Sequence, residues 1–187
     1  METFGIRIYK EYFNFAAAHF LIFEDGTREE LHGHNYRVNM QIEGILDKTK
    51  DVFIDFLHIK PIVKSVCDSI DHRTLLPANN PFLRIAIENQ QIRATFHTGD
   101  QWHFPERDVI VLPILNTSSE RLAQYLCRRT IAMLSDKYPE SMIRKIEFNV
   151  EESPGQAAIY RLEYAELCPL KLLAASEEVS SPCTLSH

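Results

Sequence analysis

Residues Leu31-His32-Gly33-His34-Asn35-Tyr36, running into Arg37-Val38-Asn39-Met40-Gln41-Ile42, constrain this chain more than any other stretch. Apolar and polar residues alternate from Tyr36 to Ile42, the period of a β-strand whose successive side chains point to opposite faces. Carried back, the same alternation sets His32 and His34 on one face, about 6–7 Å apart along the chain. Two imidazole nitrogens at that spacing can converge on one ion through bonds of about 2.0–2.1 Å. Gly33 leaves the opposite face open. A His-x-His pair alone is more often two hydrogen-bonded strand histidines than a metal site. The rest of the chain must therefore supply a third ligand, a base and a substrate pocket.

Upstream, Ile6-Arg7-Ile8-Tyr9-Lys10 alternates as a strand and leads into Phe13-Asn14-Phe15-Ala16-Ala17-Ala18-His19-Phe20-Leu21. The three alanines allow close approach of backbone or ligand. His19, in an otherwise apolar run, reads first as a buried, hydrogen-bonded core histidine. Asp25-Gly26 is a turn signal, however, and a hairpin through it brings His19 beside His32 and His34. Three histidines from one hairpin make an open three-ligand site.

Downstream, Asp55 can cap a helix carrying Ile59, Ile62, Val63, Val66 and Ile70 at helical spacing. Pro61 suggests that this helix starts within a turn of it. Asp71-His72 at its end reads as a polar terminus, with the histidine favouring the negative pole of the dipole. Residues 77–113 are punctuated by Pro77, Pro81, Pro105 and Pro113, and Ile92–Phe104 reads as a hairpin about Gly99-Asp100. His97 and His103 are expected across from each other there, as exposed hairpin histidines ahead of a second metal site. Thr117 to Glu120 has the pattern of a capping box, opening a helix over about 118–135. Ile146, Phe148 and Val150 alternate with Lys145, Glu147 and Asn149 as a strand. Glu151–Gln156 makes a turn, and Ala158–Tyr164 is the last strand. The order of strand, strand, helix, inserted hairpin, helix, strand, strand is an α+β layout, with two helices on one face of an antiparallel sheet.

The chain's 187 residues suit one domain with a sizeable core, over 1–165, with the insertion at about 77–113. The segment 166–187 turns to Ala, Ser, Glu and Pro and is expected to be disordered. A formal charge of -6 argues against a nucleic-acid partner, which needs a broad basic face. Cys67, Cys127, Cys168 and Cys183 are far apart, without a CxxC pair, so they form neither a disulfide framework nor a zinc ribbon. Free thiols, no apolar signal core and no membrane-length apolar run lead to the expectation of a cytoplasmic protein with no membrane partner.

Six elements carry a family resemblance: Phe13-x-Phe-Ala-Ala-Ala-His19, Leu31-His-Gly-His-Asn-Tyr36, Ile54-Asp-Phe56, Asp71-His72, Asn116-Thr-Ser-Ser-Glu-x-Leu-Ala123 and Glu152-Ser-Pro-Gly-Gln-x-Ala-x-Tyr160. In this order, over most of residues 4–165, they resemble the 6-pyruvoyl-tetrahydropterin synthase family, which includes 6-carboxy-tetrahydropterin synthase. The insertion is longer than the family usually carries there. The resemblance implies the tunnelling fold (T-fold), with a four-stranded antiparallel sheet and two helices per subunit. It also implies a homohexamer made as a dimer of trimers. It makes His19, His32 and His34 zinc ligands and Glu152 the anchor of the pterin ring, with Ser118 and Ser119 adding smaller pterin contacts. Asp71 and His72 become an acid/base pair in which Asp71 sets the imidazole tautomer.

One departure bears on the reaction. Family members that make the pyruvoyl or carboxy product carry a cysteine base a few residues before His-x-His, and Arg28, Glu29 and Glu30 stand there in this chain. The pattern resembles a branch in which glutamate replaces the cysteine and 7,8-dihydroneopterin triphosphate is cleaved to 6-hydroxymethyl-7,8-dihydropterin for folate synthesis. Glu29 is then the candidate base, with Glu30 as the fallback if the register slips by one. Arg28, Arg37 and Lys10 are the candidates to meet the triphosphate. The 6-carboxy activity, the 6-pyruvoyl activity and a non-catalytic pterin-binding zinc protein are the alternatives.

Overall fold

The computed structural model describes residues 2–163. In chain order these form β1 (Phe4–Ile8), β2 (Asn14–His19), β3 (His32–Gly44), α1 (Phe56–Asp68), β4 (Arg73–Pro77), β5 (Leu83–Glu88), β6 (Gln91–Phe96), β7 (Gln101–Pro105), β8 (Val109–Leu112), α2 (Ser119–Leu134), β9 (Ile143–Ser153) and β10 (Gln156–Glu163). The expected tail, 166–187, lies outside the described residues.

The antiparallel run β10-β9-β3-β2 is the four-stranded sheet anticipated from sequence. It is longer than four strands. β4 and β8 extend it in parallel beyond β2, and β1 pairs with the second half of β3. Strands β4 and β8 escape a reading based on alternation because parallel strands covered on both faces carry continuous apolar runs. Leu75 and Leu76 are adjacent, and both are fully buried. The first strand expected from sequence also divides, since a turn in which Phe13 N–H donates to Lys10 O separates β1 from β2.

The period of two in β3 sorts the sheet into two faces. Tyr36, Val38, Met40 and Ile42 lie under the helices with at most 1% exposure, while Arg37, Asn39, Gln41 and Glu43 line the opposite, polar face. α1 buries Ile59, Val63, Val66 and Cys67 against this apolar layer, and α2 buries Leu122, Leu126, Ile131 and Leu134. Truncating one such leucine to alanine costs about 2–5 kcal/mol. Asp55 caps α1 as expected, its carboxylate accepting from Leu57 N–H at 2.8 Å. The helix begins earlier than Pro61 suggests, at Phe56. The proline is tolerated because the bond it removes would fall on the carbonyl of Leu57, an exposed residue at the solvent side of the first turn.

Three local expectations are corrected. α2 has no capping-box bond: Ser118 is the N-cap residue, and Thr117 Oγ1 donates instead to Phe20 O at 2.9 Å. A tertiary acceptor has outcompeted the local one. The insertion holds more than a hairpin. β5, β6 and β7 form a separate antiparallel sheet, with the β6–β7 turn at Gly99 as anticipated. In it His103 faces Arg93, and His97 has left the ladder for the turn, so the two histidines are not partners. This sheet has its own small core, in which Phe20, Ile22 and Leu76 of the main body meet Leu83, Ile92, Ala94 and Phe96. No helix among the described residues is long and apolar enough to cross a membrane.

Candidate metal centre and active site

Strand register builds the histidine cluster. β2 and β3 pair antiparallel, with His19 directly opposite His32 and Ala17 opposite His34. The three imidazoles therefore gather at one end of the helix-covered face, with ring centroids 4.7 Å (His19–His32), 5.4 Å (His19–His34) and 4.9 Å (His32–His34) apart. Gly33, between the two β3 histidines, permits the pairing: a β-carbon there would sit 3.0 Å from Ala17 O. Glu152, near the end of β9, completes the group, so that one ligand atom from each of His19, His32, His34 and Glu152 lies within 4.8 Å of every other.

Backbone carbonyls orient the ring nitrogens of His19 and His32. His19 Nδ1–H donates to Thr117 O at 3.0 Å, and His32 Nδ1–H donates to Glu30 O at 2.7 Å. Both rings therefore carry no proton on the Nε2 that faces the centre, the tautomer of metal-binding histidines, although the Nε2 of His19 also accepts from the Tyr36 hydroxyl. Burial, reinforced by the charge of His32, lowers the pKa of His19 against the opposing pull of Glu152 and Thr117, which keeps the ring neutral and able to ligate. His34 Nε2 is 2.8 Å from Glu152 Oε1 but misaligned for hydrogen bonding, and it is buried without a hydrogen-bond partner. A buried, orphaned ring nitrogen among two other imidazoles and a carboxylate fits a divalent cation. Ligand atoms around a tetrahedral ion stand roughly 3.4 Å apart, so small side-chain rotations would close the group.

Around this centre the other candidates separate. The Glu29 carboxylate is 3.9 Å from His32 Nε2 and accepts from Leu21 N–H at 3.1 Å. Glu30 points outward with its side chain 96% exposed. Of the two carboxylates, Glu29 is the one at the site. Ser119 Oγ donates to Glu152 Oε2 at 2.7 Å, whereas Ser118 precedes it as the helix N-cap and makes no capping bond. The segment that delivers Ser119 is zipped to the end of β2: Asn116 pairs with both backbone groups of Ile22, and Thr117 with Phe20 and His19.

Tyr36 belongs to the site although no role was read for it from sequence. Its hydroxyl donates to His19 Nε2 at 2.9 Å, and burial together with the Glu152 and Glu29 carboxylates pushes its pKa far above the ordinary 10.0. It remains a neutral donor. The signal was present in the period of two that links His32, His34 and Tyr36.

Asp71 and His72 lie elsewhere. They straddle the Ala16 peptide, with Asp71 Oδ1 accepting from Ala16 N–H at 2.8 Å and His72 N–H donating to Ala16 O at 2.7 Å. His72 Nδ1–H donates to Asp71 at 2.9 Å, and its side chain is 81% exposed. Burial would raise the Asp71 pKa, but the bonds from Ala16 and His72 outweigh it and hold the carboxyl below the ordinary range. The pair borders a groove of about 790 Å³ on the polar face of the sheet, with Lys10, Asn14, Asn35 and Arg37.

A two-layer α+β subunit with a His3Glu cluster on its central hairpin is the class of protein that these features define. The family model for 6-pyruvoyl tetrahydropterin synthase matches residues 7–163. The chain belongs to that family, and its fold is the tunnelling fold. A Methanocaldococcus jannaschii protein with the provisional name 6-carboxy-5,6,7,8-tetrahydropterin synthase is 33% identical over 153 residues, 82% of this chain and 91% of that protein. The structure of Plasmodium falciparum 6-pyruvoyl tetrahydropterin synthase superposes with a TM-score of 0.77 at 33% identity, covering 86% of this chain and 98% of the other. The Plasmodium vivax enzyme, solved with a catalytic residue, a glutamate, replaced by alanine or by cysteine, gives 0.79 at 29% identity, covering 87% and 99%.

Proposed function

We propose that this chain is a zinc-dependent lyase of pterin biosynthesis that acts on 7,8-dihydroneopterin triphosphate with Glu29 as its base, yielding 6-hydroxymethyl-7,8-dihydropterin. The observation that carries the reading is the position of the Glu29 carboxylate, 3.9 Å from a metal-competent histidine, where a base has to stand. Among the described residues no cysteine lies at the site. Cys67 and Cys127 are buried among apolar side chains of the main core, and burial pushes the Cys67 thiol up to about 12 and the Cys127 thiol higher still. The P. vivax neighbour, in which a glutamate is a catalytic residue, supports the same assignment by similarity.

His19, His32 and His34 would hold the zinc, which when bound supplies Lewis-acid polarisation of substrate oxygens. Glu29 is the candidate to take a proton from the substrate side chain, at a carboxylate anchored by Leu21 N–H. Glu152, buttressed by Ser119, is suited to pair with the amino and ring N–H groups of a pterin, with Ser118 beside it. Its approach to His34 would equally let it help hold the ion. Asp71 and His72, with Lys10 and Arg37 on the same groove, lie apart from the histidines, so their acid/base role requires the assembly of several copies, as in a hexamer built from two trimers.

A second reading is the 6-carboxy activity, favoured by the name of the M. jannaschii relative. Incubating the zinc-loaded protein with dihydroneopterin triphosphate and identifying the product by mass separates the readings. A hydroxymethyl product lost in Glu29→Gln supports the proposal. Full turnover in that variant removes Glu29 as the base, and a 6-carboxy product selects the second reading.

A further inference from the structure

We propose that the inserted three-stranded sheet is a brace for the turn that carries Glu29, and that Arg28 is its positioning residue. The proposal rests on the reading of Glu29 as the base. Arg28 leaves the main body and enters the insertion. Its guanidinium lies 4.7 Å from the Trp102 ring centroid and 5.8 Å from that of Phe96, and Nη2 donates to Asp100 at 3.0 Å. From there Nη1 reaches back to donate to the carbonyl of Glu29 at 2.9 Å. The N–H of Glu29 donates to Leu21 O at 2.9 Å. Both backbone polar groups of Glu29 are therefore held, one by β2's continuation and one by the brace.

Two further contacts close the clamp. His97, displaced into the β6–β7 turn, donates from Nε2 to Gly26 O at 2.8 Å, at the other end of the same turn. Gly26 has φ +79°, and a β-carbon there would come within 3.1 Å of His97 Nε2, so glycine serves both the turn and the approach. Trp102 stacks on Phe20 at 5.0 Å, next to the ligand His19. The insertion thus grips both sides of the hairpin that builds the metal centre. An arginine side chain only 17% exposed is costly unless its charge and donors are used. Here Nη1 and Nη2 are bonded to Glu29 O and Asp100 while Nε is buried without a hydrogen-bond partner, so the head group faces the insertion rather than a triphosphate, for which Lys10 and Arg37 are left.

Misplacing a reacting group by about 1 Å can cost on the order of a hundredfold in rate. Arg28→Met, which keeps the stem and removes the guanidinium, is expected to lower kcat about 10- to 100-fold with KM within about twofold. Zinc stoichiometry should be unchanged. Amide exchange over residues 26–31 should accelerate about tenfold or more, as local opening becomes easier. Asp100→Asn, at a half-exposed position, should do the same to a lesser degree and stands in if the methionine variant does not fold. Arg28→Lys should not restore kcat, because an ammonium lacks the planar fork. Arg93→Met, on the same inserted sheet but away from the turn, should leave every readout unchanged. Exchange and kcat within twofold of the parent in both Arg28→Met and Asp100→Asn would overturn the brace even if Glu29→Gln is inactive. Full turnover in Glu29→Gln would instead overturn the base, while loosened exchange in Arg28→Met would still establish the brace.

Discussion

The two faces of the main sheet carry two kinds of chemistry, and they are built differently. On the helix-covered face His19, His32, His34, Glu152 and Tyr36 hold one another through short contacts, with a buried histidine at their base. On the open face the Asp71 and His72 side chains contact each other and the Ala16 peptide, and the imidazole points to solvent. The first group is closely packed within one chain, whereas the second is open to solvent on its imidazole side. The difference appears in the backbone as well. His72 sits at φ 54°, a left-handed conformation costing roughly 1–2 kcal/mol for a non-glycine residue, which the fold sustains through the Ala16 bonds.

The largest expected effect tests the completeness of the first face. His19→Ala should abolish zinc stoichiometry and also destabilise the metal-free protein by about 2–4 kcal/mol, because the Thr117 carbonyl and Tyr36 hydroxyl lose their buried partner. His32→Ala, more exposed, should lose the metal with a stability change within about 0.5 kcal/mol. Metal analysis and urea titration in chelator distinguish the two, and zinc retained by either variant would refute the centre.

Next comes the open face. Asparagine tolerates the left-handed conformation, so His72→Asn should fold normally, keep its zinc and lose about 10²–10³-fold in turnover. Undiminished turnover would reduce the pair to a structural turn. Tyr36→Phe should cost the metal-free protein about 1 kcal/mol through the lost hydrogen bond to His19 Nε2 and leave zinc affinity undiminished, because that nitrogen must leave the hydroxyl to ligate an ion.

The smallest effect concerns pH. The folded-state pKa of Asp71 lies below the ordinary 3.8, so its contribution to stability is present above that value and is lost as pH falls through the folded-state pKa. Partial exposure limits the size to about 1 kcal/mol or less. Asp71→Asn should therefore flatten the decline of stability below about pH 4, as read from urea midpoints at several pH values. An unchanged slope would mean that the Ala16 and His72 bonds do not hold the carboxylate in solution.

The legible parts were those written in local periodicity. The alternation through β3 set the helix-covered face, and with the Asp25-Gly26 turn it put His19 beside His32 and His34. Glu29 and Glu30 could not be separated by spacing alone, since a shift of one residue exchanges their faces. In the structure Glu29 is bound to Leu21 and turns its carboxylate toward His32, while the side chain of Glu30 faces solvent. The capping box failed because Thr117 had a better acceptor in Phe20, a partner 97 positions away. β4 and β8 were missed because burial on both faces erases alternation.

By itself, then, the amino-acid sequence determined the α+β layout and the histidine set, because each follows from residue type and short-range spacing, while the cysteine missing before His32 was visible only against the family that the chain resembles. Tertiary structure alone decided that Glu152 meets His34, that Asp71 and His72 fall on the opposite face, and that the insertion seizes Arg28. Each of these is a contact between segments tens of residues apart. Such contacts are set by how sheets and helices pack, and no local pattern encodes them.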